Sequence, residues 1–146
     1  MNAYALAAAT LLREEDVRVR ATRSSTTGVA HRDGTITVPD ARGPISFGVF
    51  AHEVGHVVRD HVRKGDRTPR WIEEVEAWEY ALFQMTRFGL AGYDRVYVRA
   101  AQCLAYSFSK AIRRGVDADA IRDRFPSWYS DALTHDRYGR LRALTS

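Results

Sequence analysis

Hydrophobic spacing changes character twice along this chain. Residues 3–14 are small or apolar up to Arg13 and read as a helix. Val17-Arg18-Val19-Arg20-Ala21 then alternates apolar and charged positions, the period of a half-buried strand. Ser24-Ser25-Thr26-Thr27-Gly28 is turn chemistry. Val29-Ala30-His31 runs into Arg32-Asp33-Gly34, where Asp-Gly favours a hairpin turn. Thr35-Ile36-Thr37-Val38 is β-branched throughout and stops at Pro39, so it predicts another strand. The first third is thus expected to be a helix and a small antiparallel sheet of three strands.

From Gly43-Pro44 onward the spacing is helical, with proline at a first-turn position where its missing N–H costs nothing. Phe47, Phe50, Val54, Val57, Val58 and Val62 form the apolar stripe of a first long helix. Lys64-Gly65 is expected to close it. Thr68-Pro69 opens a second helix with Thr68 as cap, and Arg87 and Gly89 end it. A third runs from Tyr93 to Arg114 and stops at Gly115; Asp117 caps a shorter fourth that breaks before Pro126. The tail from Thr134 is polar and is expected to fray. The fold class is α+β in one domain, which suits 146 residues.

Composition narrows the function classes. Hydrophobic residues are 45% and charged residues 27%, the balance of a globular chain. No apolar run approaches the ~20 residues that span a bilayer. The net charge is +4, and Lys64 and Lys110 are the only lysines among 22 basic residues. Acids are interleaved with the arginines: the segment from Ala111 has seven Arg against five Asp. That pattern reads as a dispersed surface rather than a phosphate-gripping patch, so a nucleic-acid partner is not expected. The lone Cys103 rules out an intrachain disulfide and a cysteine-based zinc site. Ala7-Ala8-Ala9 has no basic region before it and Arg13-Glu14-Glu15-Asp16 after it, which predicts an N-terminal helix of a cytoplasmic protein rather than a secretory signal.

The strongest chemical signal is His52-Glu53-Val54-Gly55-His56. Histidines four apart lie on one helical face a turn from each other, so both imidazoles can converge on one zinc ion. Glu53 points to the side, where it reaches a metal-bound water rather than the metal. Gly48 and Gly55 leave room for a neighbouring element. The competing explanation is a pair of core histidines, but the apolar stripe is complete without them. Five positions beyond His56, His61 would point away from the pair on a continuing helix. A hydrolytic zinc site needs a third protein ligand and one open position. Trp71-Ile72-Glu73-Glu74-Val75-Glu76-Ala77-Trp78-Glu79 offers four carboxylates on the next helix, an antiparallel neighbour across a short connection. Glu74 shares its face with Ala77, Trp78, Ala81 and Met85 and is the most embedded, where a carboxylate needs a compensating cation. Glu76 and Glu73 remain alternatives, and Glu79 suits a solvated face.

Gly34-Thr35-Ile36-Thr37-Val38, then Phe50-Ala51-His52-Glu53-Val54-Gly55-His56, then Glu74-Val75-Glu76-Ala77-Trp78-Glu79-Tyr80-Ala81 resembles the ImmA/IrrE-type zinc metallopeptidases, minimal gluzincins. The resemblance covers roughly residues 28–85. It implies a zincin-like core in which a strand precedes the HExxH helix and a second helix supplies the third ligand. It also implies Zn2+ held by His52, His56 and Glu74, Glu53 as catalytic base, and a regulatory protein as substrate. Two positions depart from the family. Trp78 stands where it usually has Asn, and Leu82-Phe83-Gln84-Met85 replaces its Leu-Leu-Met-Pro continuation. The expected activity is therefore hydrolysis of a peptide bond in a specific protein. The alternative is a zincin-fold protein without turnover that acts as a regulatory protein-binding module. The sheet edge at Thr35–Val38 is the expected place for an extended peptide. Tyr93, Tyr106, His61 and His135 are the candidates for stabilising the oxyanion.

Overall fold

A computed structural model describes residues 2–62 and 68–145. Helix α1 (Ala3–Glu15) begins where the Asn2 side chain accepts the Ala5 N–H, and it buries Ala7, Ala8 and Leu11. The strands are β1 (Arg18–Arg23), β2 (Val29–Ala30) and β3 (Thr35–Pro39). Helices α2 (Pro44–Val58), α3 (Arg70–Arg87), α4 (Tyr93–Arg113), α5 (Ala118–Arg124), α6 (Pro126–Thr134) and α7 (Arg140–Thr145) follow. The expected α+β class is present. Among the described residues no helix is long and apolar enough to cross a membrane.

The sheet corrects one expectation. Its order is β1-β3-β2, with β1 parallel to β3 and only β2 antiparallel, so it is mixed rather than antiparallel. Residues 24–28 carry the chain past β3 to its far side instead of folding it back onto β1. Arg99 on α4 holds that crossing, donating to the Thr26 carbonyl and hydroxyl at 3.1 Å each. A turn sequence shows that the chain reverses; a distant arginine decides across which strand. The β2–β3 hairpin does form as expected, with Gly34 at φ +82° and the Asp33 carboxylate accepting the Thr35 N–H. Because β3 is paired on both sides, Thr35–Val38 cannot be the peptide-binding edge; the edge on the helical side is β2. The β1 residues are exposed throughout, since only the preceding Val17 reaches the core.

Ile36 and Val38 of β3, Phe47 and Val54 of α2, Val75 and Met85 of α3, and Leu104 and Phe108 of α4 are almost wholly buried and form one core. Gly55 sets the closest approach of α2 to α3: a Cβ there would lie 3.2 Å from the Ala77 carbonyl and 3.0 Å from the Tyr80 ring. The two helices that carry the chemistry are thereby brought together at the second histidine.

Three boundaries differ from expectation. Helix α2 ends at Val58, before the expected stop at Lys64-Gly65, which lies outside the described residues. Pro69 rather than Thr68 is the N-cap of α3. Residues after Thr134 do not simply fray: Leu141 is fully buried on α7, and the buried Asp136 carboxylate accepts the Arg142 N–H at 2.9 Å. One apolar anchor and one cap suffice to hold a polar tail. Helix α6 begins at Pro126, where proline starts a helix as well as ending the one before.

Candidate metal centre

His52 and His56 sit one turn apart on α2, and Glu74 reaches them from α3. One donor atom from each lies within 4.8 Å of the others. The two Nε2 atoms are 3.1 Å apart. Glu74 Oε2 is 3.0 Å from His52 Nε2, and Oε1 is 3.5 Å from His56 Nε2. Ligands about 2.0–2.1 Å from one zinc ion in a tetrahedron stand roughly 3.3 Å from each other, and the imidazole pair and the two carboxylate contacts, one through each Glu74 oxygen, are close to that spacing. Two imidazoles and a carboxylate, all largely buried, are also the donor set that a divalent cation satisfies and an apolar core does not. The residues fit the ion.

The four candidate carboxylates separate cleanly. Glu74 faces the histidines; Glu76 Oε1 lies 2.8 Å from His61 Nε2; Glu79 accepts from the Trp128 indole at 3.4 Å. Glu73 is buried, with Arg70 Nη1 3.6 Å from its Oε1. Arg70 Nη2 also approaches Glu74 Oε1 at 2.9 Å, so that oxygen lies between Arg70 and His56 while Oε2 faces His52. Burial works to raise the Glu74 carboxyl, but the adjacent His52 and His56 rings outweigh it and hold the group well below the usual carboxylate range. Burial pulls His56 below its ordinary value, which favours the neutral ring that a metal requires.

Glu53 is 6% exposed in the same cleft. Burial pushes its carboxyl up to about 7, against the pull of His56. The β1–β2 crossing passes directly over it: a Cβ on Gly28 would come within 2.7 Å of Glu53 Cγ. Only glycine lets the backbone lie there while the carboxyl keeps its place. The cleft encloses about 720 Å³ between Thr26–Ala30, the metal-centre helices and one face of α4. Among the described residues Glu53 and Glu74 are its only carboxylates, while Arg99 and Lys110 of α4 and its C-cap Arg114 line the opposite wall. Cys103 also lines it, partly buried, with burial raising its thiol to about 11, so it stays protonated and unreactive at neutral pH.

Trp78 stacks on His52 with ring centroids 4.2 Å apart and an interplanar angle of 32°. Its Nε1 and His52 Nδ1 have no hydrogen-bond partner among the described residues. Packing against an indole therefore orients this imidazole, in place of the acceptor that ligating histidines normally have.

Of the oxyanion candidates, Tyr106 lines the cleft, whereas Tyr93 belongs to a separate surface depression with Tyr97 and Trp128. His135 is the C-cap of α6. His61 is not on the α2 helix at all, and it contacts His56 rather than turning away from it. The spacing did not reveal this contact, because α2 stops at Val58 and the turn that follows carries His61 back onto His56. Gly28, Arg70 and Arg99 were also missed, since their roles arise from elements distant in the chain. Comparison of the chain with family models, curated proteins and solved structures returns no match.

Proposed function

We propose that this protein is a zinc-dependent metallopeptidase that hydrolyses a peptide bond in a specific protein substrate. The carrying observation is the convergence of His52, His56 and Glu74 beside a buried Glu53 in one open cleft. With no matching relative, the reading rests on that site and on the sequence resemblance. His52, His56 and Glu74 would hold the ion, which when bound supplies a Lewis acid and lowers the pKa of a coordinated water toward 7. Glu53, raised to about 7, can take a proton from the attacking water and deliver it to the leaving amine near neutral pH. Among the described residues Val29–Ala30 pairs with β3 alone, and it lines the cleft, so an extended substrate can add to it as a further strand. Val49, Trp71 and Trp78 form apolar walls that limit water. The wall formed by α4 and its C-cap, with three cations and no acid among the described residues, suits a substrate carrying an acidic side chain on that side. We place the activity in the cytoplasm.

The test pairs two variants. Glu53→Gln is expected to retain zinc and lose at least about 10²-fold in hydrolysis; His56→Ala is expected to lose zinc. Full zinc occupancy in a His52→Ala/His56→Ala double variant would overturn the assignment. The unpartnered His52 Nδ1 favours a second reading, a binding module without turnover. Incubation with candidate partner proteins separates the two. Chelator-sensitive cleavage supports the enzyme; a stable complex that survives chelation supports the module.

A further inference from the structure

We propose that Glu76 and His61 form a hydrogen-bonded chain that fixes His56 in its metal-binding tautomer, so that His61 and Glu76 are positioning residues for the metal centre. The inference deepens the metal-centre reading and rests on it for its consequence, though not for its geometry.

The chain is built by the end of α2. Arg59 is the C-cap, and Asp60 follows in the left-handed region at φ +62°. The Asp60 N–H donates to the Val57 carbonyl at 3.0 Å, and the His61 N–H donates to the His56 carbonyl at 2.8 Å. These are the two bonds of a Schellman cap, and that cap brings the side chain at His61 against the one at His56. The usual contact at these positions is hydrophobic. Here it is polar: His56 Nδ1 and His61 Nδ1 are 3.0 Å apart, and His61 Nε2 is 2.8 Å from Glu76 Oε1. His61 and His56 are both buried.

Donor and acceptor roles follow along the chain. A carboxylate only accepts, so His61 Nε2 carries the proton towards Glu76. In the neutral imidazole His61 Nδ1 is then bare and accepts from His56 Nδ1–H. His56 Nε2 is left with its lone pair directed at His52 and Glu74, the state a ligand must have. Among the described residues His52 has no such support, because its Nδ1 lacks a partner there. In the metal-free protein it can donate from Nε2 to Glu74 Oε2 at 3.0 Å and must change tautomer to bind. His56 is therefore the prepared ligand of the pair.

Two measurements test this. Long-range ¹H–¹⁵N NMR of the metal-free protein is expected to show His56 protonated at Nδ1 and bare at Nε2. Zinc dissociation constants, from competition with a chromophoric chelator, are expected to rise about 10–100-fold in His61→Leu and in Glu76→Ala. Glu79→Ala, which removes a neighbouring exposed carboxylate, is expected to bind as the parent does. Since Glu76 is only partly buried, its variant keeps the test open if His61→Leu does not fold. His56 found protonated at Nε2 overturns the proposal, as does unchanged zinc affinity in a folded Glu76→Ala or His61→Leu. If the parent protein binds no zinc, the metal-centre reading falls by itself, and the NMR result still decides the hydrogen-bonded chain.

Discussion

Replacing Glu53 by Gln in the metal-free protein isolates the free energy of keeping a carboxylate in this cleft. The group is 6% exposed, and burial raises it from its ordinary 4.5 to about 7. At about 1.36 kcal/mol per pKa step, the ionised form is disfavoured in the folded state by about 3 kcal/mol. Between those two values the folded protein holds a proton that the unfolded chain has released. Stability of the parent therefore declines as pH rises from about 4.5 to about 7 and then levels off. The amide of Gln does not titrate, so the variant lacks that decline. The melting temperature of Glu53→Gln minus that of the parent should thus grow by roughly 6–12 °C from pH 4.5 to pH 8, at roughly 2–4 °C per kcal/mol for a chain of this size. Chelator-treated protein is required, because a bound cation would stabilise the carboxylate. A difference that stays flat across this window refutes the idea that burial governs Glu53.

Three further outcomes are expected. Gly28→Ala places a Cβ within 2.7 Å of Glu53 Cγ, so it should retain zinc but lower hydrolysis by at least about tenfold, read from steady-state kinetics beside metal analysis. Gly48→Ala meets Val96 Cγ1 at 2.7 Å between α2 and α4 and should cost about 1–3 kcal/mol in urea unfolding with no change in zinc affinity. Zinc at a hundredfold excess over its dissociation constant should stabilise the parent by about 2.7 kcal/mol in thermal or urea unfolding, and His56→Ala should show no such gain.

The strongest local signals carried through to three dimensions. The His52–His56 spacing lies within one helix and depends only on its pitch, so the convergence of the imidazoles was legible before any packing was known. The Glu74 preference was a burial argument, and burial does not single it out: Glu73 is the more deeply buried of the two, and what sets Glu74 apart is that its carboxylate faces the histidine pair. Asp33-Gly34 specified its hairpin for a local reason too. The limits were also local. The stop of α2 at Val58 uses Asp60, not glycine, in the left-handed position, and nothing in the order of residues marks it.

Contacts between distant segments decided the rest. The parallel pairing of β1 with β3 depends on a crossing that Arg99 holds from α4, 73 residues away from Thr26. The placement of Gly28 over Glu53 follows from that crossing, and with it the identity of β2 as the strand beside the cleft. The link from Glu76 through His61 to His56 needs a helix cap and a neighbouring helix at once. Short-range spacing determines which side chains share a face, because helix and strand periods are properties of the backbone. Which faces meet is set by the closest approach of whole elements, and here Gly55, Gly28 and Arg99 control that approach.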